Sequence, residues 1–204
     1  MNDQVRVVLA SASPIRYTTL RSAGVVPTVQ VSNVDESKVT AATPPEIAVE
    51  LAQRKARAVA SSGVRPPALV VGCDSVLDID GKGYGKPGSA AEAKARWQLM
   101  RGRSGVLTTG HCVIAVDRAS HREVTDVART TVRFADVTDE EIDAYVATGE
   151  PLHVAGAFTL EGLSGAFIDG VEGDPHNVMG ISLPLLRRMV GALGIRWIDL
   201  WSRQ

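Results

Sequence analysis

The sequence predicts an α/β protein, in which short apolar, β-branched runs read as buried strands and capped amphipathic segments read as helices. Three observations carry this. Val5 to Leu9 is an apolar run that meets Ser13-Pro14, a helix start with serine at the N-cap and proline at the first helical position. Ala68 to Gly72 is a continuous apolar run of the kind a central strand needs, and it delivers Cys73-Asp74-Ser75 at its carboxyl end. Val106 to Val116 and Glu123 to Phe134 read as long strands separated by the polar stretch Asp117 to Arg122, which suits an antiparallel pair. With 204 residues, 45% hydrophobic and 22% charged, the chain has the balance of a soluble globular protein. The length suits one domain over residues 1–204, or two lobes sharing a cleft.

In chain order, residues 14 to 23 form the first predicted helix, closed by Gly24 in a left-handed cap. Pro27 to Val31 is a second short strand. The polar loop Asn33 to Lys38 carries Asp35 and Glu36, and Pro44-Pro45 opens the next helix. Ile47, Leu51 and Val59, with alanines between them, give that helix an apolar stripe with Lys55 near its edge. After the Ala68–Gly72 strand, Val76 to Ile79 and the hairpin signal Asp80-Gly81 lead into Gly83-Tyr-Gly-Lys86-Pro87. Ser89 caps a helix running to about Met100, ended by Gly102, and Thr138 with Glu141 forms a capping box for another that stops at Gly149. Pro151 to Gly180 is rich in glycine, which suits a wall lying close to a ligand. Ser182 to Leu193 is a last amphipathic helix, and Arg196 to Trp201 a closing strand or tail.

The strand-to-helix turn at Leu9 to Arg16 is the first chemical signal. Free N–H groups and the positive end of the helix dipole favour a phosphate or carboxylate there, and Ser11, Ser13 and Arg16 add donors. Asp74 should meet them in one hollow. The glycines before Lys86 invite a Walker-loop reading that fails, because Asp80 stands where its first glycine belongs and Pro87 where its Ser or Thr belongs. Histidines 111, 121, 153 and 176 form no metal-binding motif, and there is no G-x-S-x-G elbow.

The net charge of -1 offers no basic excess to hold a nucleic-acid polymer, so the partner should be small; a single nucleotide needs only a few local cations. Cys73 and Cys112, in no C-x-x-C pair, suit a reducing cytoplasm. No apolar stretch approaches the roughly 20 residues that cross a bilayer, and Asp3 and Arg6 interrupt the start where a signal peptide would be apolar.

Six motifs now stand in order: LASASPIR at 9 to 16, VDE at 34 to 36, AQRKA at 52 to 56, VGCDS at 71 to 75, GKP at 85 to 87, and the segment from AGAF at 155 to NVMG ending at 180. This ordered set resembles the Maf, or septum-formation, family of nucleoside triphosphate pyrophosphatases over nearly the whole chain. The resemblance implies a fold similar to the inosine triphosphate pyrophosphatases, with a long twisted mixed sheet flanked by helices and a cleft between two lobes. It implies hydrolysis of a nucleoside triphosphate to the monophosphate and pyrophosphate with Mg²⁺ or Mn²⁺. By the same resemblance Asp74 matches the catalytic proton acceptor, Glu36, Lys55 and Lys86 match polar catalytic cleft residues, and Ser11, Ser13 and Arg16 match the phosphate-facing motif. Glu36 and Asp74 are hard oxygen ligands of the type that hold Mg²⁺. At the reference pKa of ~3.9, Asp74 would be a weak base acting on a polarised water.

Substrate choice is mixed. In the branch acting on dTTP and UTP the positions of Ile15, Ser75 and Glu161 usually hold arginine, threonine and glutamine; in the branch acting on 7-methyl-GTP they usually hold tryptophan, glutamine and glutamate. Glu161, His153 and Asp174-Pro175 look more like the second branch, while Ile15 lacks its stacking ring. Similar proteins are often homodimers. Two rival readings share the demand for a bound triphosphate: a nucleotide-binding regulator of cell division with little turnover, and a nucleotidyltransferase that needs an acceptor.

Overall fold

The computed structural model of the protein describes residues 5–39 and 41–202. Asp3, invoked above for the start of the chain, lies outside them. β1 (Arg6–Leu9) passes into α1 (Pro14–Ser22) through Ser13, whose hydroxyl accepts the Arg16 N–H as an N-cap. Gly24, at φ +82°, supplies the left-handed residue that ends the helix. β2 (Thr28–Val29) and a 3₁₀ turn at Glu36–Lys38 lead to α2 (Pro44–Ala60), where Glu46 reaches back to the Thr43 N–H at 3.0 Å.

β3 (Ala68–Ile79) does not stop at Gly72. Its antiparallel neighbour β5 (Ser104–Val116) pairs with it continuously from Ala68↔Val116 to Asp78↔Val106, so Asp74 sits in the middle of a strand rather than at its tip. Asp80 and Gly81, at φ +54° and +80°, turn β3 into β4 (Lys82–Tyr84) with the two positive angles a type I′ hairpin requires. α3 (Ala90–Met100), β6 (His121–Phe134), α4 (Asp139–Ala147), β7 (Ile168–Glu172), the short α5 (Pro175–Val178) and α6 (Leu183–Ala192) complete the chain. The closing segment is a 3₁₀ turn, Trp197–Leu200, and not a strand. Arg196 grips Asp199 at 2.6 and 2.8 Å and the Ser202 N–H bonds the Gly24 carbonyl, which folds the segment back under α1 and away from the sheet ladder.

The strands form one open mixed sheet in the order β2-β1-β3-β5-β6-β7. The first three are parallel and the rest antiparallel. β4 pairs with β3 on the edge that β1 occupies further back. β1 ends opposite Val71 and β4 ends opposite Leu77, so residues 72–76 of β3 face a gap in the sheet.

α2 covers one face, where Ala52, Ala56 and Val59 pack on Val8, Val70, Cys112 and Ile114. Its approach is close because small residues lie beneath it. A Cβ on Gly72 would stand 2.4 Å from the Ala52 carbonyl oxygen, and one on Gly110 would stand 2.3 Å from that of Ala48. The other face carries two apolar clusters. One joins Leu9, Leu69 and Val71 to α1 and α6; the second gathers Leu77, Leu107 and Phe134 around the fully buried Trp97 of α3. Ser75, Thr109 and His111 lie on β3 and β5 between these two clusters. Cys73 and Cys112 are free and buried. Among the described residues no helix is long and apolar enough to cross a membrane.

Candidate active site

α2 brings the first half of the site together. Its seat on Gly72 and Gly110 places Lys55 over β3, where Nζ lies 2.5 Å from Asp74 Oδ1 and 2.7 Å from Glu36 Oε1. Lys55 and Asp74 are 12% and 13% exposed, whereas Glu36, on the 3₁₀ turn, is 58% exposed. The buried carboxylate therefore depends on Lys55, whereas Glu36 is also solvated. Burial lifts the Asp74 carboxyl above the ordinary range, opposed by the charges of Lys55 and Arg16 and reinforced by Glu36. Asp74 is thus a stronger base than the reference aspartate, which corrects the value taken from sequence. Cys73, next in the strand, is no rival nucleophile, because burial pushes its thiol up to about 11.

The second half is built on Arg16. Its Nε donates to the Gly180 carbonyl at 2.7 Å, Nη1 to Ser11 Oγ at 3.0 Å and Nη2 to Ser75 Oγ at 3.1 Å. Ser11 Oγ also accepts the Ser13 N–H at 3.2 Å, and Ser75 Oγ meets Thr109 Oγ1 at 2.9 Å. A guanidinium has five N–H donors, so among the described residues two remain for an incoming anion. Arg16 is 8% exposed and held in one orientation beside the start of α1.

Strand geometry modifies the expectation of one common hollow. Asp74 and Ser75 are consecutive in β3, so their side chains leave opposite faces: Asp74 toward α2 and Lys55, Ser75 toward Arg16. The halves meet at the gap opposite residues 72–76, where no strand among the described residues separates them and where the Arg16 charge still acts on Asp74.

Three candidate residues are not joined to this set by any side-chain hydrogen bond or ion pair among the described residues. Lys86 is exposed on the segment after β4, Ile15 is half-buried in the first turn of α1, and Glu161 is exposed, with partial loss of hydration raising its carboxyl. The glycine-rich wall is also different from its reading. Gly156 makes room for Leu77 and Phe158, Gly170 for Arg133 and Gly180 for Arg16, so these glycines accommodate the protein's own groups. His153 is exposed, and His176 Nδ1 lies 3.1 Å from Asp174 Oδ1. The sequence reading placed Gly180 at the end of the glycine-rich motif without its pairing to Arg16, and it missed Thr109, the partner of Ser75; no local signal marks either contact, since both join distant elements. No group of three or more His, Cys, Asp or Glu among the described residues could hold a metal ion by itself.

A phosphate entering the gap would meet the first-turn N–H of Ile15 at the start of α1, two N–H groups of Arg16 and a lysine-bridged carboxylate pair. Fold and gap together define an α/β protein with an array of donors suited to an anion beside a buried carboxylate. Comparison with known proteins narrows the class. The model of the family described as Maf-like protein matches residues 6–193, and the chain belongs to the Maf family. It is 59% identical over 197 residues to a protein of Streptomyces coelicolor named nucleoside triphosphate pyrophosphatase, covering 97% of this chain and 95% of that protein. A protein of the same name from Streptomyces avermitilis is 56% identical over 204 residues, covering 99% and 98%. Among solved structures, the Staphylococcus aureus Ham1 protein aligns at a TM-score of 0.42 with 14% identity over 96% of this chain and 93% of that chain.

Proposed function

We propose that this protein is a nucleoside triphosphate pyrophosphatase that cleaves between the α and β phosphates to give a monophosphate and pyrophosphate. The names of relatives sharing more than half of its residues support the reading. The observation that carries it is the Lys55 bridge between Glu36 and a buried Asp74 at the sheet gap that also holds Arg16.

The chain's own groups divide the work. A triphosphate brings about four negative charges, which must be offset before water can approach the α phosphorus; Arg16, Lys55, Lys86 and the N-terminus of α1 do this. Ser11 and Ser75 fix the Arg16 fork, so that it need not reorganise as charge develops. Asp74, its carboxyl raised by burial, accepts the proton of the attacking water.

A divalent cation fits the donor set. Glu36 and Asp74 converge on one cation already, and two carboxylates completed by phosphate oxygens and water are how Mg²⁺ is usually held; Mn²⁺ takes the same oxygen ligands. When bound, such an ion supplies charge neutralisation and a more acidic water.

For the base, Glu161 offers an acceptor to a purine edge or a cationic methylated purine, and Ile15 offers an apolar edge. Ser75 is engaged by Arg16, which supports a place for it near the phosphates and away from the base. The reading favours a purine or modified nucleotide in a cytoplasmic protein, with the two buried cysteines reduced. A homodimer, as in similar proteins, would show in light scattering at twice 21.6 kDa.

The test is product identification after incubation with Mg²⁺ or Mn²⁺ and dTTP, UTP, GTP and 7-methyl-GTP in turn. Monophosphate with pyrophosphate is expected. Orthophosphate alone, or no product without an acceptor, would overturn the reading in favour of a binder or a transferase.

A further inference from the structure

One ion pair on α3 grips the backbone on both sides of Lys86-Pro87. Glu92 Oε2 accepts the Gly88 N–H at 2.8 Å, and Arg96 donates through Nη1 to the Gly85 carbonyl. The two side chains are joined to each other, Nη2 to Oε1 at 2.6 Å, one helical turn apart. Gly85 is held a second time, by the Gly156 N–H at 3.0 Å, and Pro87 between the two grips is buried. Lys86 itself is exposed, on a corner whose flanks are fixed.

Stability is a poor reason for this arrangement. The Arg96 side chain is only 4% exposed, its Nε is buried with no partner among the described residues, and burial lowers its pKa. The Tyr84 ring, 5.0 Å from the guanidinium carbon, covers it. A buried cation with an unmade hydrogen bond costs free energy, and an ion pair on the solvent face of α3 would have carried no such cost. What the burial obtains is a guanidinium wedged under a loop, with its fork aimed at one carbonyl.

We infer that Glu92 and Arg96 are positioning residues for Lys86, holding its backbone so that its ammonium reaches the triphosphate from a defined origin. The inference rests on the reading of Lys86 as one of the cations that face the phosphates. A lysine stem is flexible, so fixing its base removes much of the search, and displacement of such a group by an ångström costs up to about 10²-fold in rate.

The experiment is a double-mutant cycle read as pyrophosphate release from UTP and 7-methyl-GTP, with melting temperature beside it. Arg96→Met keeps the volume and removes the charge; its partner Glu92 is half-exposed and stays solvated when left alone, and the buried, unpartnered Nε goes with the guanidinium. The expected result is an unchanged or raised melting temperature with kcat/KM lower by about tenfold. Glu92→Ala, at a half-exposed position, lowers kcat/KM in the same direction and serves if the Arg96 variant does not fold. In a Lys86→Ala background either change should add less than about twofold, because residues acting through one group are non-additive. Equal losses in both backgrounds overturn the inference, as does a lower melting temperature with unchanged turnover per folded molecule. If Lys86→Ala alone leaves turnover intact, the role of Lys86 falls first and the positioning role with it, a result distinct from additivity.

Discussion

Lys55 Nζ, carried by α2, lies 2.5 Å from Oδ1 of Asp74 in the middle of β3. This contact ties the helix that covers its face of the sheet to the residue proposed as the base. It exists because Gly72 and Gly110 let the α2 backbone descend onto β3 and β5. The packing of α2 and the proposed chemistry therefore share one helix.

Replacing Asp74 by Asn should abolish pyrophosphate release and leave the protein folded. The carboxyl is raised in the folded state, so its charge costs stability above that pKa and the neutral amide removes the cost. Melting temperature should hold or rise while turnover drops by at least about 10²-fold. A folded Asp74→Asn variant with ordinary turnover would refute the assignment of the base.

Lys55→Met should act in the opposite sense on stability. Asp74 is left buried beside Glu36 without a cation, a change costing about 2–3 kcal/mol for a pair that retains slight exposure. With its carboxyl raised further, the stability Asp74 permits is present at low pH and lost as pH rises. Urea melts at pH 5 and pH 8 should show a larger deficit at pH 8.

Gly110→Ala tests the seat of α2. The new methyl would stand 2.3 Å from the Ala48 carbonyl oxygen, and backbone cannot swing aside as a flexible side chain does. Stability should fall by about 1–3 kcal/mol and turnover should fall with it, because Lys55 moves with its helix. Normal turnover in this variant would show that the Lys55 contact tolerates a displaced α2.

Arg16→Lys keeps the charge and loses the fork. A single ammonium cannot meet Gly180, Ser11 and Ser75 in their present directions and still face an anion. Turnover should fall by about 10²-fold or more, which product assays would show.

His111 predicts acid sensitivity. The ring is fully buried on β5, with Nδ1 3.0 Å from the Thr109 carbonyl oxygen and Nε2 accepting the Ser182 N–H at 2.9 Å at the start of α6. Burial, with the Arg16 charge adding, lowers its pKa to about 4, while the hydrogen bond to the Thr109 carbonyl and the charges of Asp126 and Asp174 pull the other way. The group is depressed in the folded state. Its contribution is therefore whole above pH ~6.5 and is lost as pH falls toward about 4, amounting to about 3 kcal/mol. Denaturant melts across that window should show the loss in the native protein and a smaller one in His111→Asn.

What the sequence determined by itself was whatever a few neighbouring residues can enforce. Ser13-Pro14 starts α1, Asp80-Gly81 turns β3 into β4, and Thr138 with Glu141 caps α4, because each signal and its effect lie within one turn of chain. The long β5 and β6 were legible from their apolar runs, and the ordered motifs identified the family. Tertiary structure decided the rest. β3 runs on past Gly72 only because β5 stays beside it, which put Asp74 in mid-strand and on the face opposite Ser75. Arg16 finds Gly180, and Arg96 finds Gly85, across separations that no local period encodes. Such partners are set by strand register and by how closely α2 and α3 can settle, and those follow from packing the whole chain at once.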